Sequence, residues 1–583
     1  MPIEKSQLRI FLLLLLVLCV SGCTADKEPE QATTIRNQSD VIVIGAGLSG
    51  LYAAMLMEDA GLSVQVLEAR DRIGGRLFTL DDISGKPEAG GNVIAPAYSR
   101  VVNVANRLGV ELVAAPDLVG GRRNMGLYVD GDFIEIRDWP THPGNPFPDA
   151  LKSVPPGSVV NATLRNNPLS KPSDWLMQET HVYDIPLREH LDKLGFSANA
   201  QALGYHVSSY GDDPDDGSLL HMYKAHAVMQ QMMKLPGGLM AVAGGNQRLP
   251  EAMAAALSEP VRLDSPVTLI EQQDAGVSVK VEDGSVFHAR FVVAAIPFTA
   301  LRSVHIKPTL PVTQQQAIDE LSYNATLQVH LLVSEPYSGQ NPPSVWSDRD
   351  IERVMATSKD GSGDVTNAVI WIDGSNARRL SQLPPEDRDR VIMDDFFTMY
   401  PDARGKVQLQ RVVDWVNDPY AGGAWADWAP GQISEFINVM SKPHKRLHFA
   451  GEHTAVSNPG MEGAMESGER AANEVIAAAS TAANQSASRG ELLFARCQAC
   501  HSIGENEPHK TGPNLHGIIG KASASSVNYQ YTDALKEAKL VWDDENLRRW
   551  IEDPSAVAPG TSMIYMNTLT SEEIGVLIDY LRP

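Results

Sequence analysis

The stretch that decides the fold reads Val41-Ile42-Val43-Ile44-Gly45-Ala46-Gly47-Leu48-Ser49-Gly50. Its four apolar residues predict a buried parallel strand, and the three glycines that follow have the G-x-G-x-x-G spacing. Gly45 allows a tight turn, Gly47 lets backbone approach a pyrophosphate, and Gly50 lets a helix pack on the strand. Residues 51–60 continue at helical spacing, so free N–H groups at that helix start can bind phosphate. The stretch therefore predicts a strand–turn–helix unit that binds a dinucleotide.

An acidic residue supports this prediction. A second short strand, residues 63–67, ends at Glu68, where a carboxylate can bind the ribose hydroxyls of a dinucleotide. Strand, helix and acid together favour a dinucleotide site over a simple glycine-rich turn. We expect a Rossmann-like α/β domain.

Length and charge restrict the remaining possibilities. The chain has 583 residues, which are too many for one core and indicate about three domains. The formal net charge of −23 argues against nucleic acid as a partner, because nucleic-acid binding needs a basic face. An acidic protein can steer a cationic substrate, but simple solubility explains the same charge.

The N-terminus has the pattern of a targeting segment. Lys5 and Arg9 precede an apolar run, 10–20, which is short for a membrane span and typical of a signal peptide. Val20-Ser21-Gly22-Cys23 then resembles the bacterial lipobox. The resemblance implies a signal peptide over 1–22, a lipidated Cys23 anchored on the periplasmic side of a bacterial membrane, and a polar tether over 23–38. An ordinary cleaved signal with a chance cysteine is the alternative.

Two further segments carry a family resemblance. Residues 68–76 (EARDRIGGR) and 88–92 (EAGGN) resemble the flavin-containing amine oxidase family. The resemblance implies noncovalent FAD bound by Glu68 and Ala69, with Arg76 against its phosphates and flavin edge. Gly91 and Asn92 would lie near the flavin ring. Gly45, Gly47 and Gly50, the three glycines of the turn, are expected to bind the same cofactor.

The family topology implies a discontinuous arrangement of two domains. An FAD-binding domain would comprise 39–95, 236–300 and 440–479, and an α+β substrate domain would comprise 96–235 and 301–439. Val267 would lend backbone to the adenine.

One position departs from the family pattern. The family has a lysine that holds a water at flavin N5, and the aligned residue here is Gln328. A neutral amide can hold a water but brings no positive charge beside the flavin, so reaction with oxygen is in doubt. A misalignment by one or two residues is the alternative.

The last family segments concern the substrate cavity. Trp425 falls where the family has one aromatic wall before the flavin, and a core role is its alternative. Gly460 falls at the opposite, often aromatic wall, so a roomier cavity is expected. Gly451, Glu452 and Met461 would complete the flavin site.

The C-terminal segment carries a second pattern. After a small-residue linker, 480–488, the chain reads Cys497-Gln498-Ala499-Cys500-His501, which is the attachment pattern of a c-type haem. Alone it could also be a zinc or redox site. With the segments around Gly512 and Met563, residues 489–583 resemble an all-α class I cytochrome c. That resemblance implies one haem on Cys497 and Cys500, with His501 and Met563 as iron ligands.

The fusion indicates an enzyme that passes electrons onward. We expect an FAD-dependent amine dehydrogenase that transfers a hydride from the amine to flavin N5, and then single electrons within the chain to haem. A soluble cytochrome or a terminal oxidase would be the final acceptor. Two alternatives remain: a peroxide-producing amine oxidase, and a flavocytochrome that acts mainly as an electron-transfer module. No motif selects one amine.

Overall fold

The computed structural model describes residues 38–582, except 116–124, 208, 234–236, 358–364, 495–496, 499 and 564–568. The side chains of 481–488 and 492 are also outside this description. The predicted signal peptide, Cys23 and nearly all of the tether therefore lie outside the described residues. No helix within the described ranges is both long and apolar enough to cross a membrane.

The strands, in chain order, are β1 Gln38–Ile44, β2 Val64–Leu67, β3 Leu112–Ala114, β4 Gly126–Val129, β5 Asp132–Ile134, β6 Met240–Val242, β7 Val267–Gln272, β8 Val277–Val281, β9 Val286–Ala294, β10 His305–Lys307, β11 Thr326–Val333, β12 Val345–Ser347, β13 Arg353–Thr357, β14 Asn367–Asp373, β15 Val407–Asp414 and β16 Leu447–Phe449.

The helices are α1 Leu48–Asp59, α2 Ser99–Leu108, α3 Pro156–Thr163, α4 Leu187–Lys193, α5 Ala198–Tyr205, α6 Leu219–Met232, α7 Arg248–Ala255, α8 Phe298–Leu301, α9 Val312–Glu320, α10 Gly374–Ser381, α11 Pro385–Met399, α12 Gln432–Phe436, α13 Gly460–Phe494, α14 Asp533–Ala538, α15 Asp544–Glu552, α16 Pro554–Val557 and α17 Ser571–Tyr580.

The first sheet contains the glycine-turn unit. Its order is β10-β7-β8-β9-β1-β2, and β16 pairs with β9. β1 lies parallel to both neighbours, with Val41 opposite Val64 and Phe291. Its last four residues are buried, because helices cover both faces of such a sheet. The predicted α/β fold is confirmed. β10 joins this sheet, so the FAD-binding part extends beyond residue 300.

The second sheet belongs to the predicted substrate domain. Its order is β15-β11-β14-β13-β12-β4-β5, and β11 is an antiparallel central strand. Seven of the eight β11 residues are buried, including the polar Gln328 and His330. Most helices between β5 and β6 pack over the adjoining core. This domain is α+β, as predicted.

Helix α13 corrects the predicted linker. We expected a linker over residues 480–488, but the helix that begins at Gly460 continues to Phe494 and includes these residues. The segment is rich in alanine and contains no proline, so nothing in its backbone chemistry ends the helix. A run of small residues alone therefore does not predict a linker.

The C-terminal domain is helical. The end of α13 crosses α17, where the Phe494 and Tyr580 rings lie 6.0 Å apart. A Cβ on Gly490 would come within 2.5 Å of Tyr580, so the glycine permits this close crossing. Trp542 and Trp550 fill the core beside them. The all-α prediction is confirmed.

Candidate active site

The glycine turn has the geometry that its sequence predicts. Gly45 has φ +103°, which favours glycine. A Cβ on Gly50 would lie 2.0 Å from the Gly45 carbonyl, so only glycine lets α1 pack here. A Cβ on Gly47 would meet no atom within 4 Å. Space for a ligand therefore lies directly against the Gly47 backbone.

The start of α1 is suited to an anion. No side chain caps this helix, and its first turn contains no acidic residue. Free N–H groups and the positive end of the helix dipole stabilise phosphate at such a position. This open cradle fits the pyrophosphate of FAD.

Glu68 lies at the end of β2 and is 5% exposed. Its Oε2 accepts a hydrogen bond from the Ala46 N–H at 2.7 Å, and its Oε1 accepts one from the Arg70 N–H at 3.0 Å. These bonds hold the carboxylate beside the glycine turn. Its position fits recognition of a ribose.

One cavity of about 530 Å³ brings most predicted site residues together. The predicted cofactor and catalytic residues on its wall are Gly45, Gly47, Glu68, Ala69, Arg76, Gly91, Asn92, Val267, Gln328, Trp425, Gly451, Glu452, Gly460 and Met461. Gly50 is not on that wall, because it packs α1 against the turn. The cavity thus runs from the acid after β2 to the start of α13.

Arg76 and Glu452 form a charged pair in the cavity wall. Their Nη2 and Oε2 atoms lie 3.6 Å apart. Arg76 Nη1 also donates to the Ala424 carbonyl at 2.7 Å, and Glu452 Oε2 accepts from the Ala426 N–H at 3.2 Å. The pair therefore ties the phosphate side of the cavity to the segment before Trp425.

Gln328 holds the turn that delivers the predicted flavin-facing glycine. With its amide nitrogen facing this turn, it donates to the Glu88 and Ala89 carbonyls at 3.2 Å each. Trp415 Nε1 donates to the same Ala89 carbonyl at 2.7 Å. We expected Gln328 to hold a water; the structure gives its N–H groups to the protein, which leaves its oxygen as the acceptor for one.

The two cavity walls expected to enclose the amine, at Trp425 and at Gly460, differ in their chemistry. Trp425 is half-buried and donates from Nε1 to the Ser209 carbonyl at 2.9 Å, which fixes the indole ring. Gly460 has φ +55°, and a Cβ there would lie 3.6 Å from the Tyr98 hydroxyl. Burial raises the pKa of Tyr98 to about 12, with nearby Glu462 and Glu452 adding to the effect. One wall is therefore aromatic, and a neutral phenol stands behind the other.

Sequence reasoning did not single out several cavity residues, among them Thr326, Trp371, Trp415 and Tyr420. Trp415 and Tyr420 stand in the same family segment as Trp425, so proximity in sequence could have identified them. Thr326 on β11 lies opposite Asp373 on β14, and Trp371 on β14 lies opposite Gln328 on β11. Only this strand pairing brings Thr326 and Trp371 to the cavity.

Glu88 introduces a titratable group beside the Gln328 turn. Burial raises its pKa to about 7, although hydrogen bonds from the Asn246 N–H and the Thr79 hydroxyl oppose the shift. Its charge therefore changes near neutral pH.

In the C-terminal domain, two of the predicted haem residues, Cys497 and Met563, pack against one core. His501 Nδ1 lies 2.8 Å from the Pro513 carbonyl, an arrangement that leaves Nε2 for a metal. Gly512 lies so close to this ring that a Cβ would come within 2.3 Å of it. Met563 packs against the same core as Cys497, and Trp550 Nε1 lies 3.1 Å from its sulfur. The donor set of thiols, imidazole and thioether fits haem c.

Within the described ranges, no group of three or more His, Cys, Asp or Glu side chains could hold a metal ion. Cys497 is half-buried and Cys500 is exposed.

Comparison with known proteins assigns each of the two parts to a family. The family of flavin-containing amine oxidoreductases matches residues 48–476, and the cytochrome c family matches 487–583. Flavin-containing amine oxidase B of Homo sapiens is 28% identical over 464 residues, covering 76% of this chain and 86% of that protein. The flavin-containing amine oxidase of Oncorhynchus mykiss is 28% identical over 472 residues, covering 76% of this chain and 87% of that protein.

Solved structures share the fold of the larger part. Cyclohexylamine oxidase from Brevibacterium oxydans IH-35A has a TM-score of 0.62 at 23% identity, covering 76% of this chain and 99% of that one. Putrescine oxidase bound to putrescine has a TM-score of 0.61 at 22% identity with the same coverage. The chain belongs to the flavin-containing amine oxidoreductases and carries a C-terminal cytochrome c domain; together these imply FAD and haem c as cofactors.

Proposed function

We propose that this flavin amine oxidoreductase is a dehydrogenase, which oxidises an amine at the cavity and delivers the electrons to haem c. Bound FAD would supply the hydride acceptor, and haem c would take electrons one at a time. One observation carries the proposal: the predicted dinucleotide-binding residues and Trp425 line the same cavity.

The chain's own residues would bind and orient the amine. The fixed ring of Trp425 offers a face to an alkylamine, and that face attracts cationic or polar nitrogen groups. The neutral amine is the reactive form, because its lone pair must align with the breaking C–H bond. Gly460 leaves room opposite Trp425, which supports a substrate bulkier than a narrow two-walled cage would accept.

The absence of the family lysine supports a dehydrogenase over an oxidase. Gln328 is 2% exposed and neutral, so no cation stands at this position to favour reduced oxygen species. A cytochrome domain on the same chain provides another destination for electrons. A soluble cytochrome or a terminal oxidase would then reoxidise the haem.

Anaerobic mixing of holoprotein with a panel of amines tests this proposal. We expect one amine class to bleach the flavin absorption and then raise the reduced-haem band. Trp425→Ala should weaken the bleaching at least tenfold, whereas Trp425→Phe should retain most of it. Bleached flavin with haem that stays oxidised would reject the electron route, and fast aerobic peroxide production would favour the oxidase.

We also propose that lipidated Cys23 anchors the mature chain on the periplasmic side of a bacterial membrane. The lipobox-like sequence and the attachment of haem c outside the inner membrane support this location. Palmitate labelling of cells producing the wild type or Cys23→Ser tests it. Equal labelling of both proteins would reject the anchor.

A further inference from the structure

We propose that Thr326, Asp373 and Glu352 form a relay that carries a proton out of the cavity when electrons leave it for haem. This inference rests on the proposed function, because haem accepts electrons without protons. All three residues are polar and at most 2% exposed, in or beside the sheet that also carries Gln328. Buried polar groups are costly, so their place beside a redox cavity needs an explanation.

Proton balance creates the need for such a route. Hydride transfer from a neutral amine leaves an iminium product, and the hydride amounts to two electrons and one proton. Two successive reductions of ferric to ferrous haem account for both electrons, and an external one-electron acceptor reoxidises the haem after each. The proton has to reach water before the next turnover. An oxidase has no such need, because peroxide carries electrons and protons away together.

Thr326 connects the cavity with a buried carboxyl. The residue is part of the cavity wall, on the same face of β11 as Gln328, because strand residues two apart share a face. Since Thr326 is itself buried, only a group in contact with this wall reaches it.

The hydrogen bonds of Thr326 fix the direction of transfer. Its Oγ1 donates to Asp373 Oδ1 at 2.7 Å and accepts from Asn324 Nδ2 at 3.2 Å. The same Asn324 nitrogen faces Asp373 Oδ1 at 3.4 Å, so the amide donates and the threonine hydrogen points to the carboxyl. A hydroxyl has two lone pairs, which leaves one on Thr326 to accept a proton from the cavity.

Asp373 lies beside a second buried carboxyl, Glu352, and one cation. Asp373 pairs with Arg353, whereas Glu352 Oε2 accepts the Asp373 N–H at 2.9 Å and its Oε1 accepts from Asn376 Nδ2 at 3.2 Å. Two carboxylates with one guanidinium would leave an uncompensated negative charge in the interior. Because that charge is costly to bury, the pair of carboxyls holds one proton at neutral pH.

Burial and charge place this proton on Glu352. Burial raises the pKa of Glu352 well above its usual range, and the charge of Asp373 raises it further. Burial also raises the pKa of Asp373, but Arg353 and the hydrogen bonds from Thr326 and Asn324 oppose that shift. A proton that arrives at Asp373 removes its negative charge, which lowers the pKa of Glu352 and favours release of the Glu352 proton.

The relay ends near water. The Arg353 side chain is 23% exposed and Asn376 is half-buried, both on the far side of the carboxyl pair from Thr326 in the hydrogen-bond chain. One O–H bond forms on Thr326 as its old one breaks toward Asp373, and Glu352 loses its proton to water. Asp373 then returns its proton to Glu352, which restores the starting state.

The same network also supports the cavity wall. The Asn324 N–H donates to the Trp425 carbonyl at 3.0 Å, and the Asn324 carbonyl accepts the Ala424 N–H at 2.9 Å. A purely structural network would therefore change how tightly the amine binds. A relay instead controls how fast a proton leaves the cavity, which a proton-release measurement detects.

Two measurements on the holoprotein need no amine. Infrared spectra should contain the C=O band of a protonated buried carboxyl in the wild type, and Glu352→Gln should lack it. After anaerobic photoreduction, mixing with ferricyanide in weak buffer should release protons, which a pH-indicator dye records. Thr326→Val should slow this release about tenfold or more, whereas Thr326→Ser, which keeps the hydroxyl, should restore it. Absence of the band, or equal release in Thr326→Val and the wild type, would overturn the relay.

Kinetics with a reactive amine separate this inference from the proposed function. Thr326→Val should slow haem reduction at least tenfold more than it slows flavin bleaching, and should increase the solvent isotope effect on haem reduction. Equal slowing of both steps would reject the relay and leave the dehydrogenase in place. Failure of every amine to bleach the flavin or reduce the haem in the wild type would reject the proposed function and the relay with it.

Discussion

At Glu88, a single buried carboxyl links stability to pH. Its pKa is raised to about 7 by burial, while an unfolded glutamate ionises near 4.5. Between these values the unfolded chain binds fewer protons than the folded one, so this group's contribution to stability falls as pH rises. Glu88→Gln should remove that loss, which is at most about 3 kcal/mol for such a shift.

Urea unfolding at pH 5 and pH 8 measures the effect. We expect Glu88→Gln to gain stability relative to the wild type on going from pH 5 to pH 8. Exposed Glu335→Gln serves as the control and should show no such trend. A constant difference between Glu88→Gln and the wild type at both pH values would contradict the raised pKa.

Gln328 permits a test of oxygen reactivity. Gln328→Lys should restore a cation at this cavity wall and raise the rate of peroxide formation by the reduced enzyme, because positive charge stabilises reduced oxygen species. Gln328→Met keeps the length without the charge and should not raise it. If peroxide output is unchanged in the lysine variant, the neutral amide is not what disfavours oxygen.

At the scale of elements, sequence patterns served best where they were local. The apolar run at residues 63–67 predicted a strand that differs from β2 by one residue, and the glycine spacing predicted the turn before α1. The end of α13 was missed because alanine and serine occur in both linkers and helices. Thr326 and Trp371 were missed because strand pairing, which local sequence does not show, brings them to the cavity.

The packing of α13 on α1 depends on one glycine. A Cβ on Gly468 would lie 2.3 Å from the Ser49 carbonyl, a backbone atom that cannot move independently. Gly468→Ala should therefore separate the helices and cost about 1–3 kcal/mol of stability. Asn473→Ala, on the exposed face of the same helix, should have little effect. Equal unfolding midpoints in urea for the two variants would contradict this packing argument.

At the scale of the whole molecule, one helix belongs to two cores. Residues 461–479 of α13 pack in the flavin part, and Leu493 and Phe494 pack in the cytochrome core. Because these two sets of core residues lie on separate stretches of the helix, we expect the two cores to unfold separately. We expect calorimetry of the holoprotein to show two transitions, which flavin and haem absorbance assign.

Two glycines on this helix should affect those transitions separately. Gly468→Ala should lower the midpoint of the flavin transition only. Gly490→Ala should lower the midpoint of the haem transition only, because its Cβ would come within 2.5 Å of Tyr580. The haem transition should shift by several degrees, since a destabilisation of about 1 kcal/mol lowers the midpoint of a small domain by roughly 4–8 °C. The flavin part is much larger, so its transition should shift by only about 1–3 °C. If either variant shifts both transitions equally, the helix transmits stability between the domains and the flavin and cytochrome parts fold as one unit.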